Sequence, residues 1–338
     1  MTRIAALTGG RVVPSARFRV RQYIPSLREE GIDIEEFASG FGQYPPRSKW
    51  IRPLWAFATL AERLPAVVMS HRYDAVLLQR EIMSSFVTLE PLTTRPRILD
   101  VDDAIFLQRG GGFARKLAKL SDRVVCGNNY LAEWFGRWNV NIDVIPTAVD
   151  TERYLPNPET KASDSPSIIG WIGTSGNYKY LYGIEGALTK VMHTHPGTRL
   201  KVVGDQLPEF RRLSPNQVEF VPWSEAIEVQ AIQSMDIGIM PLEDSPWARG
   251  KCSFKMLQYL ATGLPVVVSP VGMNAEILTL GELGIGATTE KQWIDGLIAL
   301  LENRTLRARF GTEGRRVVES SFSIRVVAPL LARSLRGE

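Results

Sequence analysis

Lys251, Ser253 and Lys255 sit where a helical register begins, with Phe254, Leu257, Leu260 and Ala261 on one apolar face. A helix start presents unpaired backbone N–H groups and the positive end of the dipole, so cations there suit a phosphate or diphosphate. Arg249 leads into the group. A surface helix with solvated lysines is the plain alternative. A second candidate is the turn GWIGTSGNYKYL at 170–181, where Gly173 and Gly176 allow close approach of a ligand, Thr174 and Ser175 offer hydroxyls and Lys179 a cation. In ILDVDDAIF at 98–106, Asp100 and Asp102 have an Asp-x-Asp spacing that could hold a divalent ion, although a capped helix start reads equally well. Arg17 and Arg21, four apart on one helix face beside the turn Thr8-Gly9-Gly10, suit an anionic acceptor or a phosphate, while Arg19 points elsewhere. His193 and His195 end a helix before Pro196, which fits a dipole interaction better than catalysis. No Ser/His/Asp or Cys/His arrangement is legible.

The elements that position these residues alternate between strand and helix signals, which predicts parallel sheets covered on both faces. Strands are expected at Arg3–Leu7, Ile32–Phe37, Ala75–Gln79, Arg97–Asp102 and Arg123–Gly127, with a helix from Arg17 to Leu27, and Ile142–Thr147 leads out of the domain. Residues 147–166 are rich in Pro, Ser and Thr and read as a linker. The alternation restarts at Ile168, with strands at Arg199–Val203, Val218–Val221, Ile237–Met240 and Pro265–Ser269 and helices near 179–193, 224–234, 252–262, 290–301 and 304–319. Gly263 should end the 252–262 helix. Phe322–Arg336 has amphipathic spacing. Residues 44–69 carry Trp50, Ile51, Leu54, Trp55 and Phe57 near helical spacing beside Arg47, Lys49 and Arg52. That stretch reads as a helix packed on the sheet with an exposed basic edge; a helix lying on a membrane surface is the alternative.

Residues 250–272, GKCSFKMLQYLATGLPVVVSPVG, resemble the donor-binding segment of the retaining glycosyltransferases of the family-4, or group 1, type. In that family Glu, Ala, a large apolar residue, Ala, any residue, Gly, any residue, Pro and Val follow in order, and QYLATGLPV at 258–266 is similar. SDRVVCGNNYLAEWF (121–135), NIDVIPTAVDTERY (141–154), RLKVVGD (199–205) and VEFVPW (218–223) resemble further family segments in the family's order. The resemblance implies an α/β GT-B fold, two Rossmann-like domains facing each other across a cleft. It implies an acceptor domain over 1–150, a linker over 151–166, a nucleotide-sugar domain over 167–320, and a C-terminal helix, 321–338, crossing back to the first domain.

By the same resemblance, Lys251, Lys255 and Asp102 are the catalytic candidates. Gly173, Thr174, Lys179, Arg249, Ser253, Gln258 and Trp223 bind the donor, and Arg17, Arg21 and Asp103 meet acceptor or phosphate. The family's ribose-binding Glu falls on Gln258, and the Glu eight positions earlier falls on Gly250. Glu243 or Asp244 are the carboxylates at hand to replace it. Trp171 stands where the family has an Arg, with Arg249 or Lys251 to compensate. The implied reaction moves a sugar from a nucleoside diphosphate sugar, a co-substrate, to a saccharide or lipid-linked acceptor with no metal and no other cofactor. Two other readings stay open: a GT-B sugar-nucleotide epimerase, and a non-catalytic nucleotide-sugar-binding partner of a transferase.

The bulk numbers agree with this class. The 338 residues are 44% hydrophobic and 22% charged, and no apolar run approaches the ~20 residues of a spanning helix. Two cysteines without metal-ligand spacing imply a reducing compartment, and hence a cytoplasmic location, with a peripheral place at the inner membrane face as its extension. Residues 1–150 hold 20 Lys and Arg against 16 Asp and Glu, so the net charge of +4 lies in the first half. That excess could face an anionic membrane or acceptor, or be an ordinary surface. Nothing resembles a nucleic-acid-binding module.

Overall fold

Each aliphatic run forms a parallel strand, and the strands assemble into two separate six-stranded sheets. The computed structural model describes residues 1–157 and 166–338. Residues 158–165 of the expected linker therefore lie outside the described residues. Two units result. The first comprises Met1–Ala148, Arg249–Cys252 and Ile324–Glu338; the second comprises Val149–Ala248 and Ser253–Ser323.

The first unit contains β1 (Thr2–Thr8), β2 (Ile32–Ala38), β3 (Ala75–Gln79), β4 (Arg97–Val101), β5 (Arg123–Cys126) and β6 (Ile142–Val144). Their order across the sheet is β2-β1-β3-β4-β5-β6. The order reverses between β1 and β3, so the crevice outside their carboxyl ends is the natural ligand position of this sheet. Ile4, Ala6, Ile32, Leu77 and Ile98 form its core with Tyr23 and Leu27. The helix Ile324–Arg336 adds Val327, Ala328, Leu331, Ala332 and Leu335 to that same core, so it packs within the first unit. The helix expected over Arg17–Leu27 is instead three pieces, Pro14–Arg19, a 3-10 turn Arg21–Tyr23 and Ile24–Glu29. Val20, at φ −125° and ψ −66°, breaks the run, and Pro25 starts the last piece.

The second unit contains β7 (Ser167–Ile172), β8 (Thr198–Gly204), β9 (Val218–Pro222), β10 (Ile237–Met240), β11 (Val266–Val268) and β12 (Gly284–Gly286). Their order is β12-β11-β10-β7-β8-β9, the doubly wound dinucleotide-type arrangement with its reversal between β7 and β10. The edge strand β12 has no counterpart in the sequence reading, because Gly-Ile-Gly carries almost no strand propensity. The expected 179–193 helix divides into Tyr178–Gly183 and Glu185–Thr194. The helix Phe254–Ala261 ends as expected at Gly263. Gly263 sits at φ +71°, and the Gly263 and Leu264 N–H groups donate to Leu260 and Tyr259 carbonyls at 3.0 Å each, closing a Schellman cap.

The helix Arg52–Met69 overturns the expectation of a core-facing stripe. Its buried residues are Thr59, Arg63, Ala66 and Val67, while its large apolar side chains are exposed. Arg63 anchors the inner face by donating to the Phe37 carbonyl at 2.6 Å and to the Thr8 carbonyl.

Candidate functional site

In the second unit, β7 delivers Gly173 to the β7/β10 reversal, and the start of the Phe254–Ala261 helix comes to the same place. The Lys255 ammonium lies 4.3 Å from the centre of the Trp171 ring. A Cβ on Gly173 would stand 2.4 Å from Lys255 Nζ and 2.7 Å from the Trp171 ring, so only glycine leaves room there. The sequence-predicted pair Gly173 and Lys255 is thus brought together, with buried Trp171 as the floor rather than a substitute cation. Gly176 has open space around it and is not required by packing. The turn is latched from below: Ser175 donates through its N–H (2.6 Å) and its hydroxyl (2.9 Å) to Asp205 at the end of β8. Burial works against the Asp205 charge, but those two donors outweigh it and lower the carboxyl pKa. Thr174 is exposed beside the latch and accepts from Asn177 at 3.1 Å.

Gln258 is buried, and its amide nitrogen donates to the Tyr154 hydroxyl at 2.9 Å and to Glu228 at 3.1 Å. Glu228 also accepts from the Tyr154 hydroxyl (2.7 Å) and the Trp223 indole N–H (3.2 Å). The amide nitrogen expected to meet a ribose is therefore engaged inside the protein. Glu228 was missed by sequence reasoning, since its partners lie 30 and 74 residues away. Its effect is to fix the indole of Trp223, which stays 42% exposed at the end of β9. A ring presented this way can stack on a nucleobase.

A cavity of about 340 Å³ opens at the ends of β10, β11 and β12. Lys179, Glu243, Ser269 and Thr288 are among the residues that line it. Of the predicted donor residues only Lys179 reaches this cavity, and its ammonium lies 4.8 Å from the Tyr180 ring. Glu243, rather than Asp244, is the carboxylate in the cavity wall.

Arg249, Gly250, Lys251 and Cys252 group with the first unit, not with the helix that Ser253 and Lys255 begin. Asn128 donates to the Lys251 carbonyl at 3.2 Å. A Cβ on Gly250 would stand 2.6 Å from the Ala104 methyl and 2.9 Å from its nitrogen, so the backbone leaves no space for a side chain. The missing family carboxylate at this position therefore has a packing cause. The buried Cys252 thiol donates to the Asp102 carbonyl at 3.2 Å, and burial pushes its pKa upward. Ser253 is buried in the left-handed region at φ +50° and makes no side-chain capping bond, so its hydroxyl does not close the helix start as a cap would.

The first unit's polar groups collect at the ends of β3 and β4. Asp100, the first residue of the Asp-x-Asp pattern, is buried and bound through both oxygens by Arg19, with contacts of 2.6 to 3.2 Å. Arg19 thus occupies the first carboxylate of the Asp-x-Asp pattern. Arg21 binds Glu36 in a fork, with two contacts of 2.8 Å, and no longer shares a continuous helix face with Arg17. Arg17 is buried, its guanidinium 4.6 Å from the Phe18 ring. Asp103 pairs with Arg80 at 3.2 Å. Burial and the neighbouring Asp102 raise the Asp103 carboxyl to about 6. Arg80 holds φ +64°, and its Nε and one terminal nitrogen lack hydrogen-bond partners among the described residues, as do both amide atoms of Gln79, Glu81 Oε2 and Asp102 Oδ1. This is a mixed set of donors and acceptors at the natural ligand end of the sheet, and sequence reasoning identified only its Asp102 and Asp103 members.

Comparison with known proteins agrees with the doubled sheet. Residues 166–303 match the family model of the glycosyl transferases group 1. A glycogen synthase of Mycobacterium tuberculosis is 25% identical over 229 residues, 62% of this chain and 53% of that protein. The chain thus spans about half the length of the curated relatives it matches. Among solved structures, the sucrose-phosphate synthase of Thermosynechococcus elongatus aligns over 100% of this chain and 99% of its own at a TM-score of 0.74 with 15% identity. The Anabaena protein Alr3699/HepE, in complex with UDP-glucose, aligns over 100% of both chains at 0.71 with 13% identity. The fold is the two-domain α/β GT-B type, and the residues that match the family model lie in the second unit apart from Arg249–Cys252.

Proposed function

We propose that the chain is a retaining glycosyltransferase that moves a sugar from a nucleoside diphosphate sugar to an acceptor hydroxyl. One observation carries the reading: the Lys255 ammonium is held against Gly173 at the β7/β10 reversal, at the start of the Phe254–Ala261 helix. A cation and helix N–H groups at one point stabilise the charge that develops on a leaving diphosphate. The nucleobase stacks on Trp223, and the sugar extends toward Glu243 and Lys179. Lys251 and Arg249 add positive charge from the segment that precedes the helix. In same-face transfer the leaving phosphate takes the acceptor proton, so no protein base is needed and no metal either. UDP is the nucleotide of choice, because the Anabaena protein is in complex with UDP-glucose.

The acceptor, a saccharide or a lipid-linked hydroxyl, meets the polar group around Arg80, Asp102 and Asp103. A surface or glycoconjugate pathway in the cytoplasm, with peripheral contact at the inner membrane face, belongs to the same proposal. Lys255→Ala is expected to lower UDP affinity by about tenfold or more, the loss of a charge-assisted contact to phosphate, while leaving the melting temperature without ligand unchanged. Titration calorimetry with UDP and UDP-glucose tests it, and equal affinity of wild type and variant would remove the phosphate site. Transfer should persist in excess EDTA.

The second reading, a non-catalytic nucleotide-sugar-binding partner, is favoured by Gly250 and Gln258, which leave neither family carboxylate in place. Tight UDP-glucose binding with neither transfer nor hydrolysis would support it.

A further inference from the structure

On the helix Arg52–Met69 and its approach, Trp50, Leu54, Phe57, Ala61, Leu64 and Val68 recur at alternating spacings of four and three, a single apolar stripe. Every member is exposed: Trp50 by 94%, Leu54 by 69%, Phe57 by 73% and Val68 by 62%. The opposite face, with Thr59, Arg63, Ala66 and Val67, is the one that packs on the sheet. The helix therefore packs on the sheet through a mixed face, two polar residues and two small or β-branched apolar ones, and turns its larger apolar stripe toward solvent. A contiguous apolar surface of this kind marks an interaction site.

We infer that this stripe docks the first unit on an anionic lipid surface, which deepens the proposed membrane contact by naming the surface and the lipid charge. Charge complementarity selects the occupant. Arg47, Lys49 and Arg52 are exposed at the stripe's leading end, and none has a carboxylate partner among the described residues. The Arg52 guanidinium donates only to the carbonyls of Pro46 (3.1 Å) and Arg47 (3.4 Å). Glu62 is the sole acid between residues 44 and 69, and its oxygens are turned to Gly40 N (2.6 Å) and the Ser39 hydroxyl (3.1 Å). The outward face thus combines apolar side chains, tryptophan and positive charge, and no negative charge. A second copy docked on the same stripe would set these cations against each other or against apolar residues. Anionic headgroups supply the missing counter-charge while the acyl boundary takes Trp50, Leu54 and Phe57.

Flotation of the full chain with vesicles of phosphatidylglycerol in phosphatidylcholine, and with phosphatidylcholine alone, tests the assignment. Wild type is expected to float with the anionic vesicles and to be released by salt. Replacing Arg47, Lys49 and Arg52 by Gln should weaken partition about fivefold for each cation removed. Leu54→Glu with Phe57→Glu should weaken it by at least about tenfold through the lost apolar insertion. Both variants change only exposed side chains, and an unaltered thermal shift by UDP shows that they are folded. That readout also separates failure of the docking surface from failure of the donor site. The inference is overturned if wild type stays with the unbound protein, floats equally with neutral vesicles, or is a dimer that Leu54→Glu with Phe57→Glu converts to monomer.

Discussion

Gly250 shows how a missing functional group can have a structural origin. Its alpha carbon faces the Ala104 backbone so closely that the first atom of any side chain would collide. Restoring the family's acid by Gly250→Glu is therefore expected to destabilise the fold by about 1–3 kcal/mol, the usual cost of overpacking, instead of improving activity. Urea unfolding of the two proteins measures this, and an unchanged midpoint would show that the segment yields easily. Gln258 has a comparable explanation, since its amide joins Tyr154 and Glu228 in a buried hydrogen-bonded group. The sequence displayed both departures, but the reasons for them lie in contacts with residues far along the chain. Arg19 is similar: a helical wheel turns it away from Arg17 and Arg21, and nothing local indicates that Asp100, 81 residues on, is its partner.

Strands and helices were legible wherever propensity and burial agree. β3 and β10 fall on the expected residues because their aliphatic runs are bounded by polar or turn residues. The Gly263 cap was legible for a local reason too, as a left-handed position strongly favours glycine. Direction was not legible. Hydrophobic periodicity defines a stripe on the Arg52–Met69 helix, but it does not say that Arg63 rather than Phe57 faces the sheet. Two peptide carbonyls, of Phe37 and Thr8, reverse the helix by requiring a donor on its inner face. The terminal helix Ile324–Arg336 behaves in the ordinary way, with Leu331 and Leu335 in the core of the first unit. Leu331→Ala is expected to cost about 2–5 kcal/mol, and hydrogen exchange should show the helix losing protection. Loss confined to the second unit would contradict that packing.

The two units follow different strand orders, so their ligand positions differ as well: the β1/β3 reversal in one, the β7/β10 reversal in the other. The alternation of elements made two parallel sheets legible, and the segments that resemble the family in the second half fall on the sheet that matches the family model. The acceptor side was far less legible. Its members Gln79, Arg80 and Glu81 form no spaced motif and gather only because β3 and β4 end side by side. The cavity beside Glu243 was hidden for the same reason, since three strand ends and three helices contribute to its wall.

Four residues, Arg249 to Cys252, are threaded into the first unit from within the sequence of the second. Neither unit is therefore one continuous stretch of chain, and neither can be excised as an intact piece. A fragment of residues 149–323 would carry a loose loop with an uncovered thiol, while 1–148 would be left with a slot beside Gly127 and Ala104 that nothing fills. Expressed separately, each half should melt well below the parent protein, and mixing the two should not restore it, because 1–148 also lacks the Ile324–Arg336 helix that completes its core.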